Sequence, residues 1–255
     1  SIYCVSPAEA ATLDVDGLII QVTNDLIHLS NKLEVVYRAK PFVSAVVPNR
    51  GWTSGGAEVT LSGKDFVVGS TWCKFGDTPA VEANVFSTTE LMCTVPAQNV
   101  GAVSVEVSTN GVDFSDSGVR FWYELSPTVS GLEPLVGPMS GGTVVRILGE
   151  GFTSSVSLFC RFGDGESVLA IRVHDNLIEC VAPAAPFPTQ VTVSLSINER
   201  KWLVLPFQFN YEPLLSLAWV TPSSGSVSGG TQVVVRGGGF SNANGAFHCL
   251  FGTIA

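Results

Sequence analysis

The six cysteines are the residues whose type and spacing most suggest chemistry, and that chemistry is cross-linking. Cys73 and Cys93 lie 20 residues apart, as do Cys160 and Cys180, and the two pairs fall at matching phases along the chain. A bridge closing a loop of about 20 residues stabilises a fold by roughly 3 kcal/mol in the chain-entropy model, and it requires an oxidising compartment. The alternative is a set of buried free thiols in a cytosolic domain. Cys4 and Cys249 occupy the same phases at the two ends of the chain, so each is expected to pair with another segment. No C-x-x-C occurs, which removes the usual zinc and redox motifs.

Little else points to catalysis. His28, His174 and His248 occur at different phases, and no HExxH, G-x-S-x-G, GxGxxG or Walker lysine motif is present. Gly237-Gly238-Gly239 reads as a turn instead of a phosphate cradle. Asp14-Val-Asp16-Gly17 has the start of a calcium loop but not its later ligands. Asp164 and Glu166 read as a local turn. No catalytic residue, cofactor or metal ligand is nominated, and an enzyme is not expected. The 255 residues are 45% hydrophobic and 14% charged, with a net charge of −9. That is too apolar for a disordered tail and too acidic for a phosphate backbone, so nucleic acid is excluded as a partner. No apolar run approaches the length of a membrane span. No N-x-Ser/Thr sequon occurs, so glycans, if present, would be O-linked, on stretches such as Ser115-Asp116-Ser117 and Thr153-Ser154-Ser155.

These residues are set in an internal repeat. Pro48, Gly51, Ser54-Gly55-Gly56 and Gly63-x-x-Phe66 recur as Pro134, Gly137, Ser140-Gly141-Gly142 and Gly149-x-x-Phe152. They recur again as Pro222, Gly225, Ser228-Gly229-Gly230 and Gly237-x-x-Phe240. Cys-x-Phe-Gly follows at Cys73, Cys160 and Cys249. Cys-x-x-Pro follows at Cys93, Cys180 and, near the start, Cys4; Tyr37, Tyr123 and Tyr211 close each copy. The prolines are 86 and 88 residues apart, a domain length. The registration divides the chain into a C-terminal half-domain at 1–40, complete domains at 41–125 and 126–213, and an N-terminal half-domain at 214–255. The joins are short and lack Gly/Ser linker character, which predicts a rod-like array.

Each unit reads as strands. Val191, Val193, Leu195 and Ile197 alternate with polar residues, as do Val103, Val105 and Val107, and no window has a useful helical period. The Gly-Gly pairs suit positive φ, and Gly63, Gly149 and Gly237 suit a similar corner. Phe66, Phe152 and Phe240 are the expected apolar plugs. These motifs, in this order, resemble the IPT/TIG family of immunoglobulin-like domains. The resemblance implies an all-β fold of tandem immunoglobulin-like β-sandwiches, of the kind found in plexin-like receptor ectodomains and large surface proteins.

The composition and the mid-domain phase together lead to an expected function. It is a structural, extracellular or cell-surface segment of a fibre built from head-to-tail domains. Its partner would be itself, through domain completion between successive copies or as part of a longer array. The alternatives are a receptor or adhesion stalk and a carbohydrate-binding module. Val144, Leu148, Val234 and Trp219 place apolar surface on faces that should be wet, and they are the candidate assembly contacts.

Overall fold

The computed structural model describes residues 1–5, 18–36, 38–152, 157–240 and 248–252. Tyr37, the Asp14–Gly17 stretch and Thr153–Ser155 lie outside the described residues. Among those described, every regular element is a strand, and no helix is long and apolar enough to cross a membrane.

The two complete repeats have the same topology. In the first, a four-stranded sheet runs in the order Phe42–Val47, Glu58–Lys64, Glu90–Thr94, Asn84–Val85. A five-stranded sheet runs Arg50–Trp52, Arg120–Glu124, Gly101–Ser108, Trp72–Phe75, Val81–Glu82. The second repeats both orders with Thr128–Glu133, Val144–Glu150, Leu177–Val181, Ile171–His174, and with Val136–Pro138, Leu203–Glu212, Thr189–Ser196, Phe159–Phe162, Ser167–Leu169. Leu18–Ile20 pairs with Leu33–Val35, and Ser216–Thr221 pairs with Val234–Gly238, each as an antiparallel hairpin. All three motif prolines, Pro48, Pro134 and Pro222, follow cis peptide bonds.

The chain forms two compact units. One comprises residues 1–46, 60–93 and 104–120; its buried residues include Val43, Leu61, Phe66, Phe75, Leu91 and Val107. The other comprises residues 47–59, 94–103 and 121–255, so it takes in one end of the first repeat with all of the second. Its core runs through Val145, Ile147, Phe152, Ile178, Leu195 and Phe209. Strand alternation is direct: Val144–Glu150 buries Val145, Ile147 and Gly149 and turns Val144, Arg146 and Glu150 outward.

The glycines divide into two physical types. Gly55-Gly56, Gly141-Gly142 and Gly229-Gly230 all have positive φ, where a Cβ is disfavoured. Gly63, Gly149 and Gly237 do not, which corrects the expectation of a corner. They sit within or at the end of strands, and a Cβ there would collide with the carbonyl oxygen of Phe42, Thr128 or Ser216 on the neighbouring strand. At Gly63 and Gly149 it would also meet the ring of Phe66 or Phe152, each three residues on. The Gly-x-x-Phe spacing therefore lets the phenylalanine ring fold back beneath a strand with no side chain. The positive φ falls instead on the residue before each phenylalanine: Asp65, Gly151 and Gly239.

The closing tyrosines are core residues. Tyr123 and Tyr211 are buried, and Tyr123 donates from its hydroxyl to the Pro96 carbonyl at 2.9 Å, tying the last strand to Cys-x-x-Pro. Desolvation by burial raises the pKa of both phenols.

Two predictions follow from this packing. Gly149→Ala costs roughly 3 kcal/mol, at the upper end of overpacking, whereas Gly142→Ala, with open space around its Cβ, costs about 1–2 kcal/mol for φ alone; urea denaturation separates them. A phenol with a raised folded pKa contributes stability below the unfolded value of about 10 and loses it as pH rises toward the folded value. Stability therefore falls above pH about 10, and Tyr123→Phe flattens part of that fall in denaturation curves measured from pH about 8 to 11.

Candidate functional site

The structure bonds Cys73 to Cys93 and Cys160 to Cys180, with Cα–Cα distances of 6.5 and 6.4 Å. Each bridge links a strand of the five-stranded sheet to a strand of the four-stranded sheet, and all four cysteines are buried among the core residues. Cys4 and Cys249 are exposed and carry no disulfide.

The four candidate contact residues are not brought together. Val144 is exposed opposite Val181, beside the Arg146–Glu179 ion pair at 3.1 Å. Leu148 is half-buried because it leans over Gly131 on the adjacent strand, so its own sheet uses much of its surface. Trp219 and Val234 are exposed on the hairpin of the third repeat, where the Arg236 guanidinium lies 5.0 Å above the Trp219 ring. The same pairing recurs inside the complete repeats. Lys74 stands over Phe114 at 5.4 Å and Arg161 over Trp202 at 4.3 Å, both cations coming from the middle position of Cys-x-Phe-Gly.

The best-defined site is one that the sequence reading missed, the joint between the complete repeats. Arg50–Trp52 is the edge strand of its sheet, paired in parallel with Arg120–Glu124 so that Gly51 lies opposite Tyr123. A parallel ladder turns alternate residues toward the partner strand. Asn49 accepts from Trp122 and Thr53 donates to Glu124, which leaves the Arg50 carbonyl on the open side. There it accepts a 2.9 Å hydrogen bond from Asn198 Nδ2 of the second repeat. Gly51 keeps the strand low enough for that approach: its Cβ would stand 3.5 Å from Asn198 Nδ2 and 2.9 Å from the Phe121 ring. Trp52 is 3% exposed and belongs to the core cluster otherwise formed by the second repeat. The Arg50–Glu124 ion pair at 3.3 Å flanks the site, and Lys201 reaches to Gly56.

Asn198 is held in a specific loop. The Ser196 hydroxyl accepts from the amides of Asn198 and Glu199, and Asn198 Oδ1 accepts from those of Arg200 and Lys201, with positive φ at Glu199. Because the side-chain oxygen is occupied locally, the side-chain nitrogen is left to face outward. Ser108-Thr109-Asn110 makes the same bonds around Gly111. Thr23-Asn24-Asp25 makes them around Leu26, although a carboxylate there has no amide to offer. His28 bonds that carboxylate at 2.6 Å and holds the Asp25 pKa well below the ordinary carboxylate range.

Comparison with known proteins bears on the identity of this fold. The IPT/TIG domain model matches residues 41–123, 127–211 and 217–255. Fibrocystin-L of Homo sapiens is 23% identical over 209 residues, covering 81% of this chain and 5% of that protein. Plexin-A4 of Homo sapiens is 25% identical over 213 residues, covering 77% of this chain and 11% of that protein. The chain thus spans a small fraction of the length of these relatives. Among solved structures, the full extracellular region of plexin A4 covers 73% of this chain at 20% identity with a TM-score of 0.47, the match taking up 18% of that structure's chain.

Truncating the joint has a measurable cost. Trp52→Ala destabilises the unit containing the second repeat by about 3–5 kcal/mol. Asn198→Ala costs about 1 kcal/mol, and the two changes are non-additive by at least about 0.5 kcal/mol in a double-mutant cycle read by chemical denaturation.

Proposed function

Because the chain belongs to the IPT/TIG family of immunoglobulin-like domains, we propose that it serves as a non-enzymatic spacer in a receptor or adhesion ectodomain. It is an all-β, extracellular or cell-surface segment with tandem domains and two disulfides. The finer reading rests above all on the joint. Consecutive domains in a flexible array are joined by solvated linkers, and relative motion is the default expectation for them. Here a buried tryptophan and a side-chain amide bond occupy the junction instead. A stalk needs such a junction, because it must hold what it carries at a set distance. Oxidised cross-links suit the same role, since they protect each domain against unfolding outside the cell.

Family membership leaves the function of a whole protein open, because one fold serves many sites. A fibre built from such segments would need contacts between copies in addition to the joint.

Single-molecule fluorescence transfer tests the spacer reading. Dyes are placed at exposed Val100 and Phe187, each changed to Cys with Cys4 and Cys249 replaced by Ser. One narrow transfer distribution is expected, broadening when Trp52→Ala and Asn198→Ala are added. A distribution already broad without those two changes would remove the stalk reading.

A further inference from the structure

The outer face of the four-stranded sheet differs between the two complete repeats. In the second, cross-strand pairing sets Val144 beside Val181, Arg146 beside Glu179, and Leu148 beside Leu177. Glu133 and Ile171 extend the middle row on either side, and Gly131 extends the last. The alternating residues Val145, Ile147, Ile178 and Cys180 are buried in the core, so the whole set points away from it. Val144, Ile171 and Val181 are 48%, 61% and 46% exposed. The first repeat has Glu58 and Thr94 in place of Val144 and Val181. It has Ser62 and Glu90 in place of Leu148 and Leu177, and Asn84 in place of Ile171. The same fold thus carries a polar face once and an apolar face once.

A neighbouring repeat does not account for this exposure. The second repeat keeps the face open with a complete repeat before it. The first keeps Glu58, Ser62, Asn84, Glu90 and Thr94 exposed with a complete repeat after it. The joint lies elsewhere, on the Arg50–Trp52 edge of the five-stranded sheet.

The face is complementary to itself. A two-fold axis running along the strands, between Val144–Glu150 and Leu177–Val181, lays each of these strands over the other in a second copy. Each row then meets its own reverse: Val144 over Val181, Arg146 over Glu179, and Leu148 over Leu177. The Arg146–Glu179 ion pairs of the two copies close into an alternating ring of two arginines and two glutamates. The same rotation brings the protruding Ile171 over a shallow hollow lined by Glu133, Pro134, Val144 and Arg146. We infer that this face of the second repeat is a contact for a second copy of this chain, packed sheet to sheet about that axis. The occupant follows from the rows, because three rows that each match their own reverse fit a copy of themselves. Aligned packing is an ordinary geometry for two sheets, and a two-fold contact uses one patch on both partners. The apolar rows supply the attraction, and the charged ring sets the register, since desolvation offsets much of an ion pair's gain. The face measures about 19 Å by about 13 Å at ordinary strand spacings, less than a stable dimer buries. A single pair of faces therefore associates weakly and gains strength where several such chains lie side by side.

Analytical ultracentrifugation tests the inference on the full chain with Cys4 and Cys249 changed to Ser, which removes disulfides between copies. This parent chain is expected to gain mass as its concentration rises toward about 1 mM. Arg146→Glu and Glu179→Arg are each expected to weaken association at least about tenfold, because like charges then meet across the contact. Mixed in equal amounts, the two variants are expected to associate within about threefold of the parent, since each restores the pairing for the other. A chain carrying both changes keeps its own ion pair in reversed order and is expected to self-associate like the parent. A parent chain that stays monomeric throughout would overturn the inference and leave the face to an unlike partner. Association unmoved by either single change, or a mixture as weak as each variant alone, would overturn it too.

Discussion

An edge strand always has backbone carbonyls and amides that its own sheet does not satisfy. Burying such a carbonyl without a donor costs more than a hydrogen bond returns. In this chain that constraint shapes the junction between domains. Arg50 points its carbonyl away from the sheet, and the next domain can cover Trp52 only because it brings Asn198 to the same spot. The apolar contact provides most of the stabilisation, and the amide makes that burial possible.

The loop carrying Asn198 is equally constrained. Its side-chain oxygen caps two backbone amides and its nitrogen faces outward, so one residue organises the turn and makes the contact. An aspartate in that position, as at Asp25, preserves the turn but not the donation. A single atom change thus separates a folding role from a joining role.

Much of the fold was legible because its markers answer to steric demands that admit few residues. Paired glycines with positive φ, prolines, cysteines 20 apart and a buried closing tyrosine each leave a fixed letter at a fixed phase. The joint left no such trace. Its loop accepts Ser or Thr and Asn or Asp, with Gly, Glu or Leu at the positive-φ position, and no identity survives all three copies. Pro138 stands at the position of Trp52 in the next repeat, and that difference was the available signal, because a residue required for folding would match across copies. The reason for Gly63 and Gly149 was also hidden, since pattern alone cannot tell a glycine required by φ from one required by a neighbouring carbonyl.

Side-chain amide NMR addresses the joint most directly. The account predicts that the Asn198 Nδ2 protons exchange slowly and show scalar coupling across the hydrogen bond to the Arg50 carbonyl carbon, while those of exposed Asn99 exchange rapidly. Asn198 protons exchanging as fast as those of Asn99, with no coupling to Arg50, would contradict it.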